Sequence, residues 1–244
     1  MAVDTYELRN LYKYLRVADV VDAMDGIGYN NIGLVDPQIQ PLWRPMKFWG
    51  VAATLRYVPT HRPMWKLNST EEIVGAIGSW FQEVGHIRIE DYVQEGTVVV
   101  SDCGSAPEMG YWGSNNALNL VTRGAVGIVT NGYARDTDEI ALEKAPVVAR
   151  YRGRTMFTGR QVDVEAQTPI GVGGAQVRPG DMVMCDGDGV VVVPQEIAEE
   201  VAVHGRAILL HDMRERRLFY EQLGRPIDET VDVDLVEEYF SQFE

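Results

Sequence analysis

Hydrophobic positions at helical spacing open the chain. Four apolar residues fall at i, i+3, i+4 and i+7, on one face of a predicted helix: Leu8, Leu11, Tyr12 and Leu15. A second helix is predicted with Asp19 as its N-cap and Gly26 at its end. Residues 29–48 contain three prolines and no period, which indicates an ordered loop.

The middle of the chain alternates between strand-like and helix-like patterns. A strand is predicted over residues 49–58, and a helix follows from Ser69 or Thr70, with apolar residues on one side as far as Val84. Buried strands are predicted at 97–100, 125–130 and 146–149, separated by helices near 117–121 and 136–144. Uninterrupted Val/Ile runs between helices are typical of strands covered on both faces, so the pattern predicts an α/β fold.

After residue 160 the pattern changes to short strands and tight turns. The sequence Asp186-Gly187-Asp188-Gly189 predicts a hairpin turn and not a calcium loop, because a calcium loop has its glycine at position 6. A long helix opens at Pro194 and carries arginines at 214, 216 and 217. With no internal repeat or linker, residues 1–244 are predicted to form one domain, with N-terminal helices (1–28), a core that carries the site (95–193) and a C-terminal helical arm (194–244).

Charge and composition narrow the class of protein. The 22 Lys and Arg residues against 36 Asp and Glu give a net charge of −14, which disfavours nucleic-acid phosphates and anionic membranes as partners. No apolar run is long enough to span a membrane, and residues 1–10 lack the apolar stretch of a signal peptide. Cys103 and Cys185 lie far apart, which argues against a disulfide framework. We therefore expect a cytoplasmic globular protein.

The segment from residue 98 to residue 139 carries the most suggestive chemistry. One strand leads through a Gly/Ser loop to a helix that starts near Ser114, and the next strand leads to Arg135 and Asp136. Free N–H groups at a helix start bind carboxylates, a guanidinium binds them in two places, and an aspartate is a ligand for hard cations. This combination suits a 2-oxo acid that chelates a divalent ion.

Structural alternatives remain open for the same residues. Ser114 is also the usual kind of residue for a helix N-cap. Arg135 and Asp136 are equally consistent with a surface ion pair, and either Asp136 or Thr137 with an N-cap of the following helix.

Three sequence runs resemble one known family. These are WG at 112–113, GAVGIV at 124–129 and GYARDTDE at 132–139, and later runs at 169–174, 177–181 and 186–194 are similar again. They resemble the RraA-like proteins, a superfamily that includes the divalent-metal-dependent (class II) 4-hydroxy-4-methyl-2-oxoglutarate / 4-carboxy-4-hydroxy-2-oxoadipate aldolases. The resemblance covers residues 95–215 well and the first 90 residues loosely.

The resemblance implies a fold, an assembly and a set of roles. The fold is a swivelling phosphohistidine-like β/β/α domain, assembled as a homotrimer or a dimer of trimers with sites between subunits. Asp136 would ligate Mg²⁺ or Mn²⁺, and Arg135 would bind the substrate oxygens and stabilise an enolate. The substrate-binding segment, whose amides at Asn115 and Asn116 hold the pyruvate carboxylate, is carried over to Gly113, Ser114, Asn115 and Asn116.

This sequence also departs from the family pattern. Ser114 replaces an acidic residue that reaches the metal through water. Asp212 takes the place of a glutamate supplied through water by a neighbouring subunit, and Glu108 is a further candidate ligand that would compensate for Ser114. Asp102 is expected to orient the loop at its strand end. The 57–94 segment is unusual for the family and is expected to reshape the pocket.

These implications lead to one main functional hypothesis. We expect a divalent-metal-dependent lyase that cleaves a C–C bond of a 2-oxo acid, by retro-aldol cleavage or β-decarboxylation, through a pyruvate enolate. One alternative is a non-enzymatic protein-binding regulator like the founding RraA protein, which lacks the aspartate corresponding to Asp136. The other is a different enolate reaction, such as tautomerisation or hydration of a sugar-acid derivative, which Ser114 would permit.

Overall fold

A nine-stranded sheet forms the centre of the computed structural model, which describes residues 5–104 and 108–243. Two further strands, β8 and β9, form a separate hairpin. In chain order the strands are β1 (Gln40–Pro41), β2 (Phe48–Pro59), β3 (Thr97–Asp102), β4 (Gly110–Trp112), β5 (Ala125–Ala134), β6 (Val147–Arg152), β7 (Gln161–Ala166), β8 (Ile170–Val172), β9 (Ala175–Val177), β10 (Met182–Asp186) and β11 (Gly189–Val193). The helices are α1 (Thr5–Leu8), α2 (Val17–Gly26), α3 (Thr70–Val74), α4 (Ala76–Val84), α5 (Ser114–Val121), α6 (Thr137–Glu143), α7 (Ala198–Gln222) and α8 (Val233–Phe240), with 3-10 turns at Arg9–Tyr12, Ile89–Tyr92, Gln195–Ile197 and Ser241–Phe243.

The sheet has a parallel centre and antiparallel flanks. Its order is β1-β6-β5-β3-β2-β10-β11, with β4 also paired to β5 and β7 to β2. Strands β2, β3, β5 and β6 run parallel, so their carboxyl ends meet at one edge. The end strands β1 and β11 contact each other, which brings the sheet close to a closed barrel, and the β8–β9 hairpin lies on β2 and β3.

Apolar side chains cover both faces of the central strands, as their uninterrupted Val runs predict. In β3, Val99 enters a cluster that includes Trp112 and Ile140, whereas Val98 and Val100 enter a second cluster with residues of β8, β9, β10 and β11. A third cluster joins α2, α7 and α8 to β10 and β11. The parallel strands therefore rigidly position the residues that follow their carboxyl ends.

The predicted N-cap of the second helix is wrong. Helix α2 starts at Val17, and Arg16 occupies the N-cap position. Asp19 lies one turn inside the helix, where its Oδ2 accepts a hydrogen bond of 2.8 Å from the Arg16 backbone N–H. The first predicted helix divides into α1 and a 3-10 turn, yet its apolar residues Leu8, Tyr12 and Leu15 are buried.

The helix predicted from Ser69 is interrupted. Ser69 caps α3 by accepting a hydrogen bond of 3.1 Å from the Glu72 N–H, but α3 ends at Val74 and α4 begins at Ala76, with Gly75 between them. Trp80 of α4 is fully buried against the core, which anchors the segment that joins β2 to β3.

The C-terminal part contains the predicted hairpin, and the predicted long helix begins at Ala198, after a 3-10 turn that follows Pro194. Asp186 pairs with Gly189 where β10 turns into β11, which confirms the hairpin. In the predicted C-terminal arm, Arg214 and Arg217 form ion pairs with Glu237 and Asp234 of α8, so these arginines join the two helices. Among the described residues, no helix combines the length and the apolar character needed to cross a lipid bilayer.

Candidate functional site

Pairing between β4 and β5 brings the two candidate segments together. The strands run parallel, with Gly110 opposite Tyr133 and Trp112 opposite Ala134. The Arg135 backbone N–H donates to the Trp112 carbonyl at 3.1 Å. The residues that follow each strand, Gly113 on one side and Arg135 on the other, therefore lie side by side at the carboxyl edge of the sheet, where ligands bind in open α/β sheets.

Gly113 has no room for a side chain. A Cβ atom at this position would lie 2.5 Å from Asp136 Oδ2 and 3.3 Å from Arg135 Nε. The carboxylate and the guanidinium thus lie directly against the backbone at the start of α5.

The start of α5 offers unused backbone donors. The Ala117 N–H donates to the Gly113 carbonyl at 3.0 Å, and Gly113 supplies no side-chain cap, so the N–H groups of residues 114–116 have no acceptor among the described residues. Ser114 is half-buried, and Asn115 and Asn116 are exposed. The Asn116 side chain donates to the Tyr111 carbonyl at 3.0 Å, which fixes the first turn. Ser114 is therefore the first residue of the helix and not its N-cap.

Arg135 carries a buried donor with no acceptor among the described residues. Its Nε is shielded from solvent, forms no hydrogen bond and lies 3.7 Å from Asp136 Oδ2. Buried polar groups in folded proteins are nearly always hydrogen-bonded, so an orphan donor beside a cradle of free amides is well placed for an anionic ligand.

Asp136 adopts an unusual backbone conformation. Its φ is 53° and its ψ is 40°, the left-handed region that non-glycine residues rarely enter. It stands at the N-cap position of α6, but its side chain accepts no capping hydrogen bond. The carboxylate is 39% exposed and lies at ion-pair distance from Arg135, so part of it remains accessible to a ligand.

The donor set suits a magnesium-type ion. Mg²⁺ and Mn²⁺ take oxygen ligands, and Mg²⁺ typically binds one or two carboxylates together with waters and substrate oxygens. The Asp136 carboxylate fits that pattern, with the bound acid supplying further oxygens. No group of three or more His, Cys, Asp or Glu side chains among the described residues forms an all-protein metal cage.

Glu108 is bound to an arginine that sequence reasoning did not identify. The Arg154 Nη2 lies 2.9 Å from Glu108 Oε2, and the Arg154 backbone N–H donates to Oε1 at 2.6 Å. Arg154 holds the pKa of Glu108 below its ordinary value. The two residues are 46 positions apart, so no local pattern could reveal the pair. The metal-ligand role of Glu108 stays a prediction, and this ion pair would compete with it.

Asp212 forms an ion pair within its own chain. Its Oδ2 accepts a hydrogen bond of 2.8 Å from Arg16 Nη2, and this guanidinium holds the pKa of Asp212 below its usual range. The pair lies near the start of α2. Service of Asp212 to a neighbouring subunit's metal stays a prediction.

Asp102 orients the loop at the end of β3, as expected. Its Oδ1 accepts hydrogen bonds from the Gly104 N–H at 2.9 Å and from the Asn131 amide at 2.8 Å. The Trp112 indole, in turn, donates to Ser101 at 2.8 Å. These bonds tie β3, β4 and β5 together beneath the site, and Asn131 and Ser101 are supporting residues that the sequence did not identify.

The chain was also compared with known proteins. A family model described as RraA-like, Aldolase/RraA, matches residues 17–192. The chain is 28% identical over 199 residues to Protein DlpA of Legionella pneumophila, a match that covers 81% of this chain and only 29% of DlpA. It is 27% identical over 183 residues to a Burkholderia mallei protein named "Putative 4-hydroxy-4-methyl-2-oxoglutarate aldolase", covering 74% of this chain and 96% of that protein.

A solved structure shares the fold. RraAS2 of Streptomyces coelicolor, described as an unusual member of the RNase ES inhibitor RraA protein family, superposes with a TM-score of 0.65 at 22% identity, covering 88% of this chain and 96% of RraAS2. The α/β fold with N-terminal helices and a C-terminal helix, predicted from the resemblance, is confirmed. Since the family model spans most of the sequence, this chain belongs to the RraA-like family.

Proposed function

We propose that this protein is a divalent-metal-dependent lyase that cleaves a C–C bond of a 2-oxo acid through a pyruvate enolate. The observation that carries the proposal is the contact between Gly113 and the Arg135–Asp136 pair. It puts the first backbone N–H groups of α5, the Arg135 Nε that has no hydrogen bond to a described residue, and the partly exposed Asp136 carboxylate within one small space. The name of the Burkholderia relative supports the same reaction class.

Each group has a separate task in this proposal. The amides of residues 114–116 bind the carboxylate of the 2-oxo acid, because a helix start favours negative charge. Arg135 donates to the 2-oxo oxygen, where charge develops as the C3–C4 bond breaks and its electron pair forms the enolate. Asp136 would hold Mg²⁺ or Mn²⁺, which supplies Lewis-acid stabilisation of the same charge.

Two cleavage reactions use this chemistry. Retro-aldol cleavage of a 4-hydroxy-2-oxo acid and β-decarboxylation of oxaloacetate both leave a pyruvate enolate in the site. Ser114 stands where the family's aldolases have a carboxylate. Without that carboxylate, a third reaction, tautomerisation or hydration of a sugar-acid derivative, would use the same amides, arginine and aspartate.

The test is pyruvate release from metal-stripped protein with Mg²⁺ or Mn²⁺ added back, measured with lactate dehydrogenase. Oxaloacetate and a panel of 4-hydroxy-2-oxo acids are the substrates. We expect metal-dependent turnover that Arg135→Ala abolishes. Metal binding without pyruvate release would favour the other enolate chemistry. Absence of metal binding, with a stoichiometric protein partner in a pull-down, would favour the regulator.

A further inference from the structure

A cavity lies at the opposite end of the sheet from the Arg135 site. It encloses about 290 Å³ between the residues that precede α2, helices α7 and α8, and the residue before β2. Lys47, which lines it, immediately precedes the first residue of β2, whereas Arg135 follows the last residue of β5. Because β2, β3 and β5 are parallel, the two sites lie at opposite edges.

The cavity has an apolar wall. Leu209 and Met213 of α7 and Val236 of α8 line it, and all three are buried members of the core. This wall provides van der Waals contacts for the apolar body of a ligand, whose own apolar surface would leave water on binding.

The polar wall carries three cationic side chains in a chain whose net charge is −14. Arg16, Lys47 and Arg216 line the cavity together with one carboxylate, that of Glu229. Arg16 is neutralised by Asp19 and Asp212, which both accept hydrogen bonds from its guanidinium.

Lys47 and Arg216 are paired far less completely than Arg16. The Lys47 ammonium donates to the Tyr14 carbonyl at 3.3 Å, and Arg216 Nε donates to the Asp212 carbonyl at 3.4 Å. Neither forms an ion pair with a carboxylate of residues 5–104 or 108–243. Two cations beside an apolar wall match a ligand with an anionic head and an apolar body.

We propose that this cavity is a binding site for a small organic carboxylate, with the carboxylate between Lys47 and Arg216 and the apolar body against Leu209, Met213 and Val236. The site is independent of the reaction proposed at Arg135. Its volume is at the lower end of small-molecule pockets, which limits the ligand to one short chain or one ring.

Octanoate tests the proposal by isothermal titration calorimetry on the full chain. We expect saturable binding of one octanoate per chain, with octan-1-ol, octylammonium and inorganic phosphate binding much more weakly. Lys47→Met and Arg216→Met should each weaken octanoate binding about tenfold, because each removes one charge-assisted contact. Lys66→Met is the matched control, since Lys66 is an exposed lysine outside the cavity, and it should leave binding unchanged.

Circular dichroism establishes that each variant is folded before titration. Absence of saturable octanoate binding would overturn the proposal. So would equal binding of octan-1-ol, or a loss in Lys66→Met as large as that in Lys47→Met.

Discussion

Two arginine–aspartate pairs in this chain consist of the same residue types but differ in hydrogen bonding. Arg16 is hydrogen-bonded to its aspartates, whereas Arg135 Nε is not hydrogen-bonded to Asp136. Arg16 Nε lies 2.9 Å from Asp19 Oδ2, the Arg16 backbone donates to the same carboxylate, and Arg16 Nη2 also reaches Asp212 at 2.8 Å. The Asp19 side chain is 1% exposed. By contrast, Arg135 Nε lies 3.7 Å from Asp136 Oδ2 and forms no hydrogen bond with a described residue.

The difference separates a structural pair from one that is available to a ligand. At Arg16 the protein itself supplies the acceptors, so this guanidinium stabilises the start of α2 and its contact with α7. At Arg135 the Nε atom is buried with no acceptor among the described residues, and a buried unsatisfied donor is costly unless something binds it. Residue type alone does not distinguish the two cases.

Replacing either member of the Arg135–Asp136 pair should have the largest effect on activity. Arg135→Ala and Asp136→Asn should each reduce kcat for pyruvate release by about 10²–10³-fold, because each removes stabilisation of developing enolate charge. The melting temperature should change little, since neither side chain is part of the core.

Arg123→Ala is the matched control for this experiment. Arg123 is an exposed arginine just after α5, and its loss should leave turnover intact. A variant of Arg135 that keeps full activity would remove the proposed reaction.

Disrupting the Arg16–Asp19 pair should instead lower the stability of the fold. Asp19→Ala should lower the free energy of unfolding by about 2–3 kcal/mol, because it removes a buried acceptor of charged and backbone donors. Urea denaturation followed by circular dichroism measures the change. A loss below the error of that measurement would show that the Arg16–Asp19 pair is not structural.

The sequence predicts the scaffold better than it predicts the pairing of charges. Strands β3, β5 and β6 are apparent because their Val and Ile runs are continuous, whereas β4 lies where the sequence predicts a Gly/Ser loop. The pattern predicts Asp19 as an N-cap because Asp is a favoured N-cap residue, whereas its actual partner depends on the backbone conformation of Arg16. The break at Gly75 is also invisible in the apolar pattern, which continues on one side through both α3 and α4.

The site shows the same limit. Gly113, Arg135 and Asp136 could be grouped from the sequence because parallel strands bring successive strand ends to one edge. Arg154, which holds Glu108, and Asn131, which holds Asp102, come from distant positions and have no local signal. The missing acceptor of Arg135 Nε depends on the packing around it and leaves no signal in the sequence.

Adding a side chain at Gly113 should displace the Asp136 carboxylate without unfolding the protein. Gly113→Ala puts a Cβ against Asp136 Oδ2, and we expect kcat to fall about tenfold to hundredfold because the carboxylate must move. Gly78→Ala is the control, since a Cβ there meets no atom within 4 Å. Equal activity of the two variants would show that the contact with Gly113 does not position Asp136.

Adding a carboxylate beside the Arg135–Asp136 pair should produce the smallest change, a rise in metal affinity. Ser114→Asp restores the acidic residue expected from the family pattern, and we expect Mn²⁺ affinity to rise about tenfold. Electron paramagnetic resonance of free Mn²⁺ measures it. Unchanged or weaker Mn²⁺ binding would place Ser114 outside the metal's surroundings.

The central claim is that Arg135 and Asp136 hold a metal and a 2-oxo acid together. Calorimetric titration with oxalate, a planar mimic of the pyruvate enolate, tests this most directly. We expect oxalate to bind the wild-type protein only when Mn²⁺ is present, Asp136→Asn to lose both ligands, and Arg135→Met to keep Mn²⁺ and lose oxalate. Oxalate binding that is unaffected by Mn²⁺ and by both substitutions would contradict the account.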